Sequence, residues 1–425
     1  MSQISQRSKL ALGVLAAAMA VPAVSQAAFV EDSKASLELR NFYFNRDFRQ
    51  ESNPVPAKAK VEEWAQGFVV RAESGYTEGT IGFGIDAIAD LGLKLDSGRG
   101  TSGTGLLQLD RESGEAQDSY GDLGLTAKLK TSNTVLKYGT LIPKLPTVSA
   151  SESRLLPQTF EGVYLNSKEV SGLTLDAGRL TRMNGRDSQD FDPITMTTGG
   201  KRNITGAGAV ESDSLTFAGA SYKWNDQLTT SYSYGNLDKL YKQNIFNVVH
   251  VLPIAKGQSL KTDLRYAKST DDGFTNVDNK ATGVMFTYTL NAHKFGLGYQ
   301  SMSGDTGYAY VGGAADPFLV NYIQISDFAN RDEKSMQARY DFDFASVGVA
   351  GLTFMTRYVT GDNVDRGAAL SEGKEWERNT ELKYVFQSGS LKNLGIHWRN
   401  AMVRSNFTND LDENRLIVSY TLPLL

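Results

Sequence analysis

Residues 335–344 (SMQARYDFDF), 352–360 (LTFMTRYVT) and 414–422 (NRLIVSYTL) alternate apolar and polar side chains along most of their length. Successive side chains of an extended chain point to opposite faces, so each segment has one aromatic and aliphatic face and one carrying Arg, Asp, Gln or Ser. In the first, Met336, Ala338, Tyr340, Phe342 and Phe344 share the apolar face, and Gln337, Arg339, Asp341 and Asp343 share the polar one. Working outward, the pattern recurs from Ala35 to Leu422 in segments of about ten residues, about eighteen in all. A soluble sandwich yields a few such strands. So many of them behind an export signal predict an all-β chain, a transmembrane antiparallel β-barrel with lipid outside and water inside.

The gaps between segments alternate in length. Those at 45–63, 94–119, 142–158, 183–213, 268–280, 303–333 and 361–377 are long, whereas Thr77–Gly79, Glu169–Ser171, Asn225–Gln227 and Asn291–Ala292 are short. Long external loops and short periplasmic turns segregate in this way on a barrel, and a sandwich has no reason to do so. The gap at Asp238–Lys239 is the exception, short where the alternation asks for a long loop.

Arg7 and Lys9, the apolar run Leu10–Val21 and the triplet Ser25-Gln26-Ala27 make residues 1–27 a secretory signal peptide. Its apolar core, about a dozen residues, is too short to span a bilayer. Residues 28–425 read as one barrel domain, with no second long apolar stretch and no transmembrane helix. Low mean hydropathy suits a barrel, where only every second residue faces lipid. The absence of Cys suits a chain that crosses an oxidising periplasm unfolded. Removing 1–27 leaves 42 cations against 48 anions, a net −6, which argues against a nucleic-acid partner.

Counting faces puts Glu38 and Arg40 on the inner wall of the first strand. The same count puts Arg339, Arg357, Lys383, His397, Arg399 and Arg415 on the inner wall of the last strands, around the closure seam. Lys128, Lys130 and Lys137 also fall inside. A strip of cations lowers the energy of an anion at each step without a deep trap. Pairing with Glu38, Asp341 and Asp343 would equally well satisfy the wall. Arg404 is out of phase with Arg399 and joins the strip only if the strand bulges or has ended.

The segment 140–158 (TLIPKLPTVSASESRLLPQ) contains Pro143, Pro146 and Pro157, which forbid a strand. Its Leu141, Ile142, Leu145, Leu155 and Leu156 need a surface to pack on, and the barrel's inner wall offers one. Folded inward as a constriction loop, it carries Arg154 and the hydroxyls of Ser149, Ser151 and Ser153 into the lumen. Across the lumen, 303–333 contains Asp316, Tyr322, Ser326 and Asp327. Acids facing a cation strip would orient a zwitterion such as an amino acid, although Asp and Ser are also ordinary loop residues.

Several stretches carry a family resemblance: FVEDSKASLELRNFYFNRDF (29–48), LKYGTLIPKLPTVSASESRLLPQTFEGV (136–163), VSGLTLDAGRLT (170–181) and EKSMQARYDFDFASVGVAGLTFMTRYVTGD (333–362). LKYVFQSGSLKNLGIHWRNAMVRSNF (382–407) and RLIVSYTLPLL (415–425) continue it. Over essentially its full mature length the chain resembles the OprD family of substrate-specific outer-membrane porins of pseudomonads. The resemblance implies an eighteen-stranded barrel with an inward loop, an Arg/Lys ladder and a facing electronegative pocket. It also implies passage of small carboxylate-bearing nutrients, organic acids or amino acids, across a Gram-negative outer membrane. By motif position the loop arginine falls on Arg154, the ladder of the last two strands on Arg399 and Arg415 and less directly Arg404, and the pocket on Asp316, Ser326 and Asp327. Three departures stand out: His397 replaces a ladder arginine, Ile325 a pocket tyrosine, and Tyr322 stands near where the family pattern leads one to expect a small hydroxyl residue. A weaker ladder and a more apolar pocket favour a simple, even aromatic, organic acid at least as much as a basic amino acid. The implied partners are outer-membrane lipid, lipopolysaccharide and these solutes; a homotrimer and a monomer both fit.

Catalysis finds little support. Only His250, His293 and His397 could serve as a histidine base, no Ser- or Cys-centred motif lies near them, and no cluster has metal-ligand spacing. No cofactor or metal is expected. The stronger rival is a nonselective general diffusion porin, which would share the barrel but ignore substrate carboxylates.

Overall fold

The computed structural model describes residues 26–49, 57–197, 202–207 and 210–425. The expected signal peptide, except its last two residues, lies outside them. Eighteen long strands form the wall. In chain order they are β1 Lys34–Phe48, β2 Lys60–Glu73, β3 Gly82–Ser97, β4 Leu123–Thr131, β5 Thr134–Leu141 and β6 Thr159–Ser167. Next come β7 Leu173–Asn184, β8 Leu215–Lys223, β9 Leu228–Leu237, β10 Tyr241–Ala255, β11 Gln258–Asp271 and β12 Asp278–Leu290. The last are β13 His293–Ser303, β14 Lys334–Asp343, β15 Leu352–Val364, β16 Gly373–Val385, β17 Gly395–Ser405 and β18 Leu411–Pro423. Each pairs antiparallel with the next, and β1 closes on β18 from Ser36↔Pro423 to Phe48↔Leu411. Closure removes the unpaired edge, which hydrocarbon could not solvate.

The alternation of loops holds over much of the barrel, although the connection 406–410 after β17 is shorter than 386–394 after β16. Long connections at 98–122, 142–158, 185–214 and 304–333 lie at one end, and tight turns at 132–133, 256–257 and 291–292 at the other. The 238–240 exception persists as a turn with Lys239 at φ 68°. The gap expected at 268–280 shrinks to 272–277 because β11 and β12 stay paired further than their alternation shows. The outer face carries a belt of exposed side chains that includes Leu264, Phe286, Leu297 and Leu416. His293, Phe295, Tyr340 and Phe342 cluster at its periplasmic edge.

The apolar cores sit inside the barrel, under the loops. Phe42, Phe44, Ala65 and Val69 of the wall pack with Leu106 and Leu107 of loop 98–122 and with Leu155 and Leu156. A larger cluster joins Val148 and Ala150 to Leu180, Leu215, Leu237 and Val311. An apolar loop has therefore found the wall, as its leucines require. One detail differs from expectation: between the prolines, Lys144–Leu145 pairs with Val148–Ser149 as a minimal hairpin. Two residues a side need no ladder amide from Pro143 or Pro146.

Candidate functional site

Loop 142–158 reaches well-separated parts of the wall. Leu155 lies against Gly67 of β2 and Thr147 against Gly235 of β9, where an added Cβ would come about 3.0 Å from each. Arg40 of β1 donates from Nη1 to the carbonyls of Glu152 (3.2 Å) and Arg154 (2.5 Å). At the far side Asp316 N donates to Ser149 O (2.9 Å), and Gln158 Nε2 to Gly312 O (3.2 Å). The loop thus crosses the lumen and is tied to loop 304–333.

Loop 304–333 is itself pinned to the wall by acids that face inward. Glu377 of β16 accepts the amides of Ile325 (3.2 Å) and Ser326 (2.7 Å), and Glu413 of β18 accepts Gln324 Nε2 (3.0 Å). Glu63 of β2 holds loop 98–122 in the same way, through the amides of Gly103 and Thr104 at 3.3 Å. Sequence reasoning missed these anchors, because a carboxylate bonded to a distant backbone amide leaves no spacing signature.

Between the loops lies a cavity of ≈ 420 Å³. Arg46, Arg154 and Arg186 line it together with Thr104 and Ser153, and Tyr310, Tyr322, Gln324 and Ile325 line it as well. Three guanidiniums gather on one ring: Arg154 lies 5.0 Å from the Phe44 centroid, and Arg46 and Arg415 lie 5.4 Å from it. Glu413 pairs with both Arg415 (2.5 Å) and Arg46 (2.6 Å). Arg154 and Arg186 have no ion-pair partner among the described residues. Arg154 Nε donates to Thr104 O (3.2 Å), and Arg186 Nη1 donates to Ser153 Oγ (3.1 Å). Burial, then the charges of Arg415 and Arg186, push Arg154 well below the ordinary guanidinium value. Burial lowers Arg186 also, against the pull of Asp187. Arginine does not deprotonate in proteins, so this mutual repulsion persists. Arg46 was missed because the alternation of the first strand was read only to residue 44, and Arg186 because its gap has no period.

Most of the expected wall cations face inward, and many share an acid. Glu38 pairs with Arg40 (2.5 Å) and Arg71 (3.0 Å), Glu381 with Arg399 (2.8 Å) and His397 (3.0 Å), and Asp86 with Lys128 (2.5 Å) and Lys137 (3.3 Å). Arg339 has Asp341 to itself (2.7 Å). Arg357 donates to Asn379 Oδ1 (2.6 Å), and Lys383, exposed near the periplasmic end, forms no ion pair among the described residues. Arg339 stands directly opposite Arg357, and Arg399 directly opposite Arg415. Like charges so placed cost stability. Sharing one acid between two cations leaves net positive charge along the wall. Arg404 does not join. It runs out of phase with Arg399 and Val403 in an unbulged strand, lies over Trp376 (5.8 Å) and pairs with Asp412 (2.8 Å) on the outer face.

The acids expected as one facing pocket are divided. Asp316 accepts the Tyr322 hydroxyl (2.8 Å) beside the arginine-lined cavity. Burial pushes the Asp316 carboxyl up, and burial with the nearby Asp316 charge pushes the Tyr322 phenol up. Ser326 and Asp327 line a second, outer cavity of ≈ 410 Å³ with Arg202 and Glu375. Asp327 accepts Tyr310 Oη (2.9 Å) and pairs with Arg202. Ile325 borders both cavities.

A closed barrel whose water-facing interior is crossed by loops and lined by charge is a channel. The sequence profile described as "outer membrane porin, OprD family" matches residues 27–424. The chain is 39% identical to Porin D of Pseudomonas aeruginosa, covering 93% of this chain and 92% of that one. It is 37% identical to the porin-like protein GalP of Pseudomonas putida, covering 97% of each. Among solved structures, OpdQ of Pseudomonas aeruginosa superposes with a TM-score of 0.87 at 62% identity, over 94% of this chain and 100% of that one. OpdK of the same organism, crystallised with vanillate, superposes at 0.85 with 38% identity, over 93% and 100%. The chain belongs to the OprD family: it is an outer-membrane porin, a channel and not an enzyme.

Proposed function

We propose that the channel selects small carboxylates, and that Arg46, Arg154, Arg186 and Arg415 are the groups that recognise them. The observation that carries this reading is four guanidiniums converging near Phe44 and the inner cavity with Glu413 as their one ion-paired carboxylate among the described residues. A permeating carboxylate supplies the missing anion, and the planar guanidinium fork binds it in two-point fashion. From there Arg399 and His397, which share Glu381, and then Lys383 lead the anion toward the periplasm without a deep trap. Tyr310, Tyr322 and Ile325 offer apolar and aromatic surface to the rest of the solute, which fits an aromatic acid better than a basic amino acid. The relative OpdK was crystallised with vanillate, itself an aromatic carboxylate, which supports the same class. Residues 1–27 act as a signal peptide removed on export, leaving 28–425 as the barrel.

The test is current block in planar bilayers. Benzoate added to the external side should interrupt the current in a saturable way, whereas lysine at equal concentration should not. A current indifferent to benzoate, citrate and amino acids alike would make the protein a general diffusion porin. Block by lysine alone would return the pocket acids Asp316 and Asp327 to the leading role.

A further inference from the structure

Glu333, the last residue of loop 304–333, and Glu375 of β16 are buried side by side behind the outer cavity. Gly361 of β15 stands directly across from Glu375, and the space where its side chain would be is filled by the Glu333 carboxylate. Asn330 Nδ2 donates to both acids, 2.6 Å to Glu333 Oε2 and 2.9 Å to Glu375 Oε1. The other two oxygens, Glu333 Oε1 and Glu375 Oε2, are buried and accept no hydrogen bond.

The cations nearest the pair form their ion pairs elsewhere, although the Glu333 charge still acts on Arg202. From the neighbouring loop Arg202 pairs with Asp327, and within the same loop Arg331 pairs with Asp365 at 3.2 Å. Glu377, the next inward residue of β16, is occupied by the amides of Ile325 and Ser326. No cation forms an ion pair with Glu333 or Glu375 among the described residues. Two adjacent buried carboxylates cannot both ionise without a counter-charge. Burial, then the charge of Glu375, pushes the Glu333 carboxyl well above the ordinary range. Two carboxylates and one amide oxygen fall short of the six to eight oxygens that calcium takes. A proton supplies at once the positive charge and the missing donor.

We propose that Glu333 and Glu375 share one proton, and that this proton latches the root of the loop that lines the inner cavity. From Glu333 the pinned segment runs back through Phe328, whose carbonyl accepts Gln300 Nε2 (2.8 Å), to Ser326 on Glu377 and to Ile325 between the two cavities. Losing the proton sets two anions against each other at one end of this segment and frees Ile325 at the other. Glu375 lines the outer cavity, so the proton exchanges with external water. The latch therefore holds at low pH and loosens as pH rises through the raised titration of the Glu333 carboxyl. Nothing in it depends on which solute permeates.

Single-channel recording of the full-length protein in planar bilayers, over about pH 5–9, reads the latch directly. The wild type should show transitions between current levels that become more frequent as pH rises. Glu375→Gln carries a permanent amide donor in place of the shared proton and should keep the quiet, low-pH trace throughout. Glu333→Gln makes the same exchange from the loop side, so one variant that fails to fold leaves the other. The infrared stretch of a protonated carboxyl should be present in the wild type at neutral pH and weakened in either variant. Wild-type gating that ignores pH, a folded variant that tracks the wild type, or quieting of the wild type by added calcium at high pH would each overturn the proposal.

Discussion

Phe44 shows how one side chain sets the chemistry around it. It is fully buried on the inner face of β1, and its ring is shared by the guanidiniums of Arg46, Arg154 and Arg415. The negative face of a ring offsets part of the repulsion among cations, at about 0.5–1 kcal/mol per contact and more when desolvated. Phe44→Leu keeps most of the buried volume, so the barrel should still fold. The arginines should spread, and benzoate block should weaken by roughly threefold to tenfold, about 1 kcal/mol. Unchanged block in a folded Phe44→Leu variant would mean that the ring does not organise the arginines. Alternation alone would have reached Arg46 had the first strand been followed two residues further. Two inward phenylalanines break the polar-inside rule there, because a loop rather than water covers them.

The strands were legible as elements and the loops were not. All eighteen strands follow from period-two alternation, because each needs one lipid face along its whole length. The inward fold of 142–158 was readable from its leucines, which have no other apolar surface to meet. The acids that fasten the loops were unreadable, since Glu63 and Glu377 look like any polar inner-face residue until the loop amides arrive. The division of Asp316 from Ser326 and Asp327 depends likewise on a loop path that no periodicity encodes. Glu377→Ala should leave the buried Ser326 amide and the half-buried Ile325 amide unpaired, at a cost of about 1–3 kcal/mol, and release part of loop 304–333. Its single-channel conductance should rise and become noisier while the heat-modifiable mobility of the folded barrel is retained. Conductance equal to wild type would show that other contacts hold the loop alone.

Over the whole molecule, net negative charge is compatible with the proposed anion-selecting path because the two are separated in space. The chain carries 48 acids against 44 basic residues, yet the loops and wall around the lumen share single acids between pairs of cations. Lumen charges act through water, so their reach shrinks with salt, from about 10 Å at 0.1 M to about 3 Å at 1 M. Anion preference should accordingly be strong at low ionic strength and fade at high, whereas a preference set by pore size alone would not change. The most direct test is the reversal potential under a potassium chloride gradient at low salt, for wild type and for the Arg154→Gln, Arg186→Gln double variant. The expected result is a wild-type potential displaced toward chloride and a double variant displaced toward zero, with the barrel still folded. A double variant as anion-selective as wild type would contradict the assignment of selectivity to the arginines that line the inner cavity.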